Sequence, residues 1–169
     1  MSADVNFVRQ QGFREDGPEA CSARYPALMW QPRAVGILVL AGLALQSWPW
    51  FLALGALLWW NAAFPSLNPF DALYNLFVAK PGGRPLLGPA PAPRRFSQVM
   101  AGTFMLAIAL CLASGRHTVA WALEALLLTA LAALVFGRFC LGSYLFFLFT
   151  GEAKFANRTL PWARAGQAP

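Results

Sequence analysis

Few residues in this chain have the type and setting to do chemistry. The first is Cys140, in the run Phe139–Gly142 (FCLG), with Arg138 two positions before it and Ser143 three positions after. A cysteine at a helix start, near a cation, is favoured as the nucleophilic thiolate. Ser143 stands where a C-x-x-C pair would place its second sulfur; a serine can hydrogen-bond a thiolate but cannot resolve a mixed disulfide. The alternative for Cys140 is a small-residue packing contact with Gly142 and Ser143. The second candidate is Glu124, alone in an apolar run. A carboxylate in hydrocarbon costs roughly 2.5–3.5 kcal/mol on insertion scales. It would serve as a proton or cation site, or else be tolerated near the outer leaflet against Arg116 or His117. Cys111, inside an apolar stretch, reads as a small hydrophobe, and Cys21 sits in a polar cytosolic tail, where thiols stay reduced. One His and three scattered Cys give no metal-ligand spacing, so neither a metal nor a cofactor is expected.

The elements that must position these residues are apolar. The chain of 169 residues is 58% hydrophobic and 12% charged, about half the roughly 25% charge of a soluble domain. Four segments are nearly free of charge: Ala34–Trp48, Pro49–Phe64, Gln98–Ala113 and Thr118–Phe136. A spanning helix takes about 20 apolar residues, so the first two must borrow flanking residues such as Met29, Trp30 and Phe64. The expected fold is all-α and integral to a membrane, with four spans in two hairpins. A helix running on from Thr118 to Thr150 would be about 50 Å long at 1.5 Å per residue, against a hydrocarbon core of about 30 Å. A break is therefore expected near Gly137–Arg138. Asn68 and Pro69 open a short amphipathic segment, Asn68–Ala79, suited to the membrane surface. Phe139–Thr150 is its counterpart in the second half.

The halves echo one another. Phe51–Leu58 (FLALGALL) aligns with Ala120–Leu127 (AWALEALL), and the same register places Phe70 on Phe139, Leu76 on Leu145 and Phe77 on Phe146. A shift of three residues pairs Gly36 and Leu40 with Gly102 and Leu106. Each repeat contains an even number of spans, so the repeats are parallel. The chain divides into a polar tail (1–26), a first hairpin with its interfacial helix (27–79), a Pro/Gly-rich linker (80–95), a second hairpin with a terminal apolar helix (96–151) and a basic tail (152–169). All of the thirteen Lys and Arg except Arg116 fall in the N-terminal segment up to Arg33, the linker, the last helix end or the basic tail, which the positive-inside rule makes cytoplasmic. The tail charges Asp4, Arg9, Arg14, Glu15, Asp16 and Glu19 leave no apolar stretch for a cleavable signal. The net charge of +6 is then a matter of topology and anionic lipid. It is spread over three segments without interleaved aromatics, which argues against nucleic acid. The tryptophans fall mostly at span ends, as interfacial anchors. Gly36, Ala41 and Gly42, and Ala101, Gly102 and Ala107, mark close helix packing.

Two hairpins, Pro93–Phe96 (PRRF) before the third span, and FCLG followed by an aromatic-rich end together resemble family 4395 of the domains of unknown function. The resemblance covers Tyr25 to Gly151. It implies a small bacterial membrane protein whose terminal motif commonly reads F-C-L-G-C. The family's paired cysteines imply thiol or sulfur chemistry; in this chain the second of them is Ser143.

Three functions follow as expectations. The first is a non-catalytic accessory or assembly subunit of the bacterial inner membrane, N-in and C-in, whose partners are lipids and other membrane subunits or copies of itself. The second is a thiol- or sulfur-handling protein acting through Cys140. The third is a small-solute or ion carrier using Glu124.

Overall fold

The computed structural model describes residues 3–14 and 17–163; Glu15, Asp16 and Arg164 lie outside the described residues. Among these, all regular structure is helical. In chain order the helices are α1 (Ala3–Gln10), α2 (Pro18–Leu28), α3 (Trp30–Leu45), α4 (Trp48–Ala63), α5 (Pro69–Tyr74), α6 (Ala92–Ala113), α7 (His117–Val135), α8 (Leu141–Phe149) and α9 (Ala153–Arg158). A π-type turn, Asn75–Ala79, extends α5.

Three helical stretches are long and apolar enough to cross a membrane: Pro18–Leu45 (28 residues), Ala92–Ala113 (22) and His117–Val135 (19). Four were expected. The remaining one, α4, has 16 residues and rises about 24 Å. It is clipped by local chemistry at both ends. Gln46 takes a left-handed conformation (φ 45°) and Ser47 is extended, while Pro65 follows Phe64 and cannot continue the helical ladder. The expected first span also begins earlier than its apolar run. Met29 keeps right-handed dihedrals, so α2 and α3 run on almost as one rod.

The bundle is locked by α4 against α6. A Cβ on Gly55 would lie 3.0 Å from the Gly102 carbonyl oxygen, and one on Gly102 would lie 3.0 Å from that of Gly55. These two glycines let the backbones touch. Gly102 was expected in such a role and Gly55 was not, while Gly36 faces open space. Around the crossing, Val39, Phe51, Met105, Ile108 and Ala120 are fully buried. Ile37, Leu40, Leu110, Trp121 and Leu126 stay exposed, the pattern of helices solvated by hydrocarbon.

A second core closes one end of the bundle. Residues 1–26 were expected as a polar tail; their described residues form α1 and most of α2, which fold onto that end. Val5, Phe7, Val8, Cys21, Met29, Tyr74, Leu87 and Cys140 are buried together there. The segment's polar residues Asn6, Gln10 and Gln11 are buried with them. The Pro/Gly linker is pinned as well: Asn75 Nδ2 donates to the Leu87 carbonyl at 2.9 Å, and Leu87 N–H donates back to Asn75 Oδ1 at 2.8 Å. Pro93–Phe96, expected before the third span, lies in its first turns.

Candidate functional site

The break between α7 and α8 sets the position of Cys140. α7 ends at Val135, and Arg138 follows in the left-handed region (φ 54°), so the chain turns and restarts at Leu141. Cys140 is the extended N-cap residue of α8 (φ −97°, ψ 101°). Its N–H donates to Gln10 Oε1 at 2.9 Å, so the last residue of α1 satisfies the amide at the mouth of α8. Gln11 Nε2 donates to Ser143 Oγ at 3.2 Å.

The thiol faces α6. Cys140 Sγ–H donates to Ser97 Oγ at 3.3 Å, Ser97 Oγ and Ser143 Oγ lie 2.9 Å apart, and Ser97 Oγ donates to the Pro93 carbonyl at 2.9 Å. Gly142 makes this approach possible. A Cβ there would fall 2.8 Å from Ser97 Cα, on backbone that cannot move aside. The FCLG run thus has a local logic: Cys supplies the thiol, Gly supplies the clearance, and Phe139 stacks near Tyr144 (5.6 Å) and Trp162 (6.3 Å). The cation expected beside the thiol is engaged elsewhere. Arg138 Nη1 lies 3.2 Å from Asp4 Oδ1, and its guanidinium lies over the Tyr25 ring.

One helical turn from Ser97, α6 carries Arg94 into a buried polar cluster. Arg94 Nη2 pairs with Asp71 Oδ1 at 2.6 Å, with both side chains nine-tenths buried, and donates to Gln31 Oε1 at 2.7 Å. Because guanidinium nitrogen only donates, the Gln31 oxygen is fixed as acceptor. It also receives Asn68 Nδ2 at 3.2 Å and Gln98 Nε2 at 3.1 Å, while Asn68 Oδ1 caps α5 by accepting from Phe70 N–H at 3.0 Å. That orientation leaves Gln98 Oε1 without a partner, and Arg94 Nη1 also has none. Each such group forfeits about 1–3 kcal/mol, more when charged. Arg94, Gln98, Gln31, Ser97, Gln11 and Cys140 line a single cavity of about 90 Å³.

Of the sequence candidates, Cys140 and Ser143 come together, 5% and 0% exposed. Cys21 is buried in the second core and Cys111 packs beside the main one. Glu124 is far along the chain's other turn. It is buried, and its two carboxylate oxygens accept from Gln46 Nε2 at 3.3 and 3.2 Å. The expected neighbours, Arg116 and His117, are not its hydrogen-bond partners. His117 stacks near Trp121 instead, and Trp121 Nε1 donates to Gln46 Oε1. Glu124 thus clamps the α3–α4 turn onto α7. Among the described residues no group of His, Cys, Asp or Glu could hold a metal ion. Sequence reading missed the Arg94 cluster because Gln31, Asp71 and Arg94 come from segments far apart in the chain. The available signal was Arg94 and Gln98, four apart and so on one helix face, at the edge of an apolar run.

Neither a curated protein nor a solved structure matches the chain. The family model described as Domain of unknown function (DUF4395) matches residues 29–150, which include α3 to α8 and every residue of the cavity except Gln11 and Leu28. The chain belongs to the DUF4395 family.

Proposed function

We propose that this is a multi-pass protein of the bacterial inner membrane that handles small thiol-reactive molecules through Cys140 at its cytoplasmic face. The observation that carries this reading is the position of the thiol on a cavity that it shares with a buried arginine, one of whose nitrogens has no partner. The chemistry is thiol–disulfide exchange. The Cys140 thiolate attacks one sulfur of a small disulfide, the S–S bond breaks, a mixed disulfide forms, and the other half leaves as a thiolate that takes up the proton Cys140 gave up. Ser97 Oγ, which accepts from the thiol, can turn to donate to the thiolate. Ser143 offers no second sulfur, so release needs a thiol from outside the chain. Hydroxyethyl disulfide offered to the purified protein should modify Cys140 ahead of Cys111 by peptide mass, and Ser97→Ala should slow the reaction several-fold. Modification of Cys111 first, or none at Cys140, would return Cys140 to a packing role.

The orientation rests on which ends meet. Arg14 pairs with Glu152 at 2.6 Å and Asn6 Nδ2 donates to the Leu160 carbonyl at 3.0 Å, so the N- and C-terminal segments share one end of the bundle. Leu87 of the linker is buried there too. Between these contacts the chain crosses an even number of times. With α3, α6 and α7 crossing, α4 is the fourth, its deficit met by local thinning of the bilayer and by Trp48 and Trp59 at its ends. That end carries the basic residues, and Arg116 lies at the other.

An assembly role is favoured by a different feature, a groove of about 450 Å³ between α3 and α7, lined by Gly36, Ile37, Leu40, Leu128 and Leu131. In a tandem repeat this groove is the counterpart of the tight α4–α6 crossing. Gly36 matches Gly102, but Glu124 stands where the other half has Gly55, so α3 and α7 cannot close the same way. A helix of a second copy or of a partner subunit would fill it. Gly36→Leu should then convert an oligomer purified in mild detergent to monomer; an unchanged size would set this role aside.

A further inference from the structure

A crevice of about 280 Å³ opens between α4 and α6, at the end of the bundle where α4 stops and α6 begins. Its lining includes Trp59, Ala62 and Ala63 of α4 and Arg95, Phe96 and Val99 of α6. The Arg95 side chain reaches across from α6: its Nε donates to the Ala62 carbonyl at 2.7 Å, in the last turn of α4, where carbonyls lack helical partners. That bond places the guanidinium between the two helices, while the residue stays exposed. Among the described residues no carboxylate pairs with it. Its neighbour Arg94, by contrast, is neutralised by Asp71. Arg95 is thus an accessible, positioned cation without a counter-ion. Apart from it, every lining side chain is apolar or aromatic. Trp59 is 45% exposed, and its ring edge rests on α6: a Cβ on Gly102 would lie 2.8 Å from Trp59 Cδ1. The ring of Phe96 lies against Phe146 and Phe149 of α8.

From these features we infer that the crevice seats one anionic phospholipid of the adjacent leaflet, with its phosphate on the Arg95 guanidinium and the start of an acyl chain against Phe96 and Val99. Basic pockets between spanning helices suit anionic headgroups. Guanidinium nitrogen only donates, and phosphate oxygens accept from it in pairs. A partly exposed tryptophan beside the cation belongs at headgroup level. The apolar walls favour a lipid over free phosphate, which would find no further polar side chain there. With no Asp or Glu in the lining, the ammonium of a zwitterionic headgroup has nothing to meet, so phosphatidylglycerol is preferred over phosphatidylethanolamine. The inference rests on the chain's placement in a membrane and not on the thiol reading.

The test is thermal unfolding of the full chain in neutral detergent, titrated with phosphatidylglycerol, phosphatidylethanolamine or inorganic phosphate. Phosphatidylglycerol should raise Tm saturably and by more than phosphatidylethanolamine, and inorganic phosphate should leave it unchanged. Arg95→Gln separates the two jobs of the residue. Gln Nε2 stands as many bonds from Cα as Arg Nε, so it can keep the bond to the Ala62 carbonyl without the charge. This variant should unfold like the unchanged protein when no lipid is added, and should lose the preference for phosphatidylglycerol. Arg84→Gln, which removes an exposed linker charge, should keep the preference. Ala63→Phe fills the crevice from α4 with Arg95 in place; it should lose the preference too, and serves if Arg95→Gln does not fold. Equal rises with the two lipids, an undiminished preference in either crevice variant, or as large a loss in Arg84→Gln would mean that lipid meets only the general positive charge of this end, and would overturn the inference. A full rise with inorganic phosphate would also overturn it, in favour of a free-anion site.

Discussion

At the scale of single residues, the site depends on clearance and on satisfied polar atoms. Gly142 is the clearest case. With the Ser97 backbone 2.8 Å from its would-be Cβ, Gly142→Ala must push α8 off α6, an overpacking effect of about 1–3 kcal/mol. Thermal unfolding should show that loss, and Cys140 should become more accessible to alkylation because its contact with Ser97 opens. Arg94 tests the polar side. Removing one partner of a buried ion pair costs about 3–5 kcal/mol, so Asp71→Ala should destabilise far more than replacing an exposed charge such as Lys154. Glu124 separates two roles. If it carries a proton or cation, Glu124→Gln stops uptake while the protein stays folded. As a clamp it only accepts from Gln46, an exposed residue that keeps its bond to the Leu43 carbonyl. Glu124→Leu should therefore leave the melting temperature unchanged or raised, since a desolvated carboxylate gives way to an apolar side chain. A clear drop would mean that the turn needs the acid.

At the scale of elements, α1 is the strap over the site. It covers Cys140 through Gln10 and is followed by Arg14, whose ion pair with Glu152 is more than a third exposed on both sides. The hydrogen bond and charge of Arg14 hold the Glu152 carboxyl below the ordinary carboxylate range, against a smaller opposing effect of burial. A lowered folded-state value means that this contribution is present above the unfolded carboxyl's pKa and fades as pH falls through the lowered one. Acid should thus loosen the N-terminal segment first. Limited pepsin digestion between about pH 5 and pH 3 should cut near Phe7 and Phe13 increasingly as pH drops. Glu152→Gln should be cut readily across that whole range. Equal resistance of both proteins would show that the second core alone retains α1. The tail's folding was not legible in the sequence. Its apolar residues Val5, Phe7 and Val8 are too few to give a helical period, and they acquire a partner only once α5, α8 and the linker arrive at the same end.

At the scale of the whole molecule, the number of crossings decides which side of the membrane the linker faces. Reporter fusions after Ala79 and at the C-terminus should both report cytoplasm, and one at Ser114 should report the outside. An outside signal from the linker would mean that α4 turns back without crossing, and the contacts of Arg14 with Glu152 would then require a different path for the chain.

What the sequence by itself determined is what depends on local composition and length: an all-helical chain with apolar rods, a break near Gly137–Arg138, an N-cap at Asn68 and the interest of Cys140. These follow from hydrophobic runs, from the finite thickness of hydrocarbon and from residues that start or stop helices, all readable within a few turns. Only the tertiary structure decided which polar atoms meet. Gln10, Asp71, Arg94 and Ser143 come from segments far apart in the chain, and each read alone is an ordinary surface or capping residue. Their convergence depends on Gly55 and Gly102 letting α4 and α6 touch, and on a tail that folds back over α8. Such approaches are fixed by backbone clearance across long sequence separations, which no local pattern records.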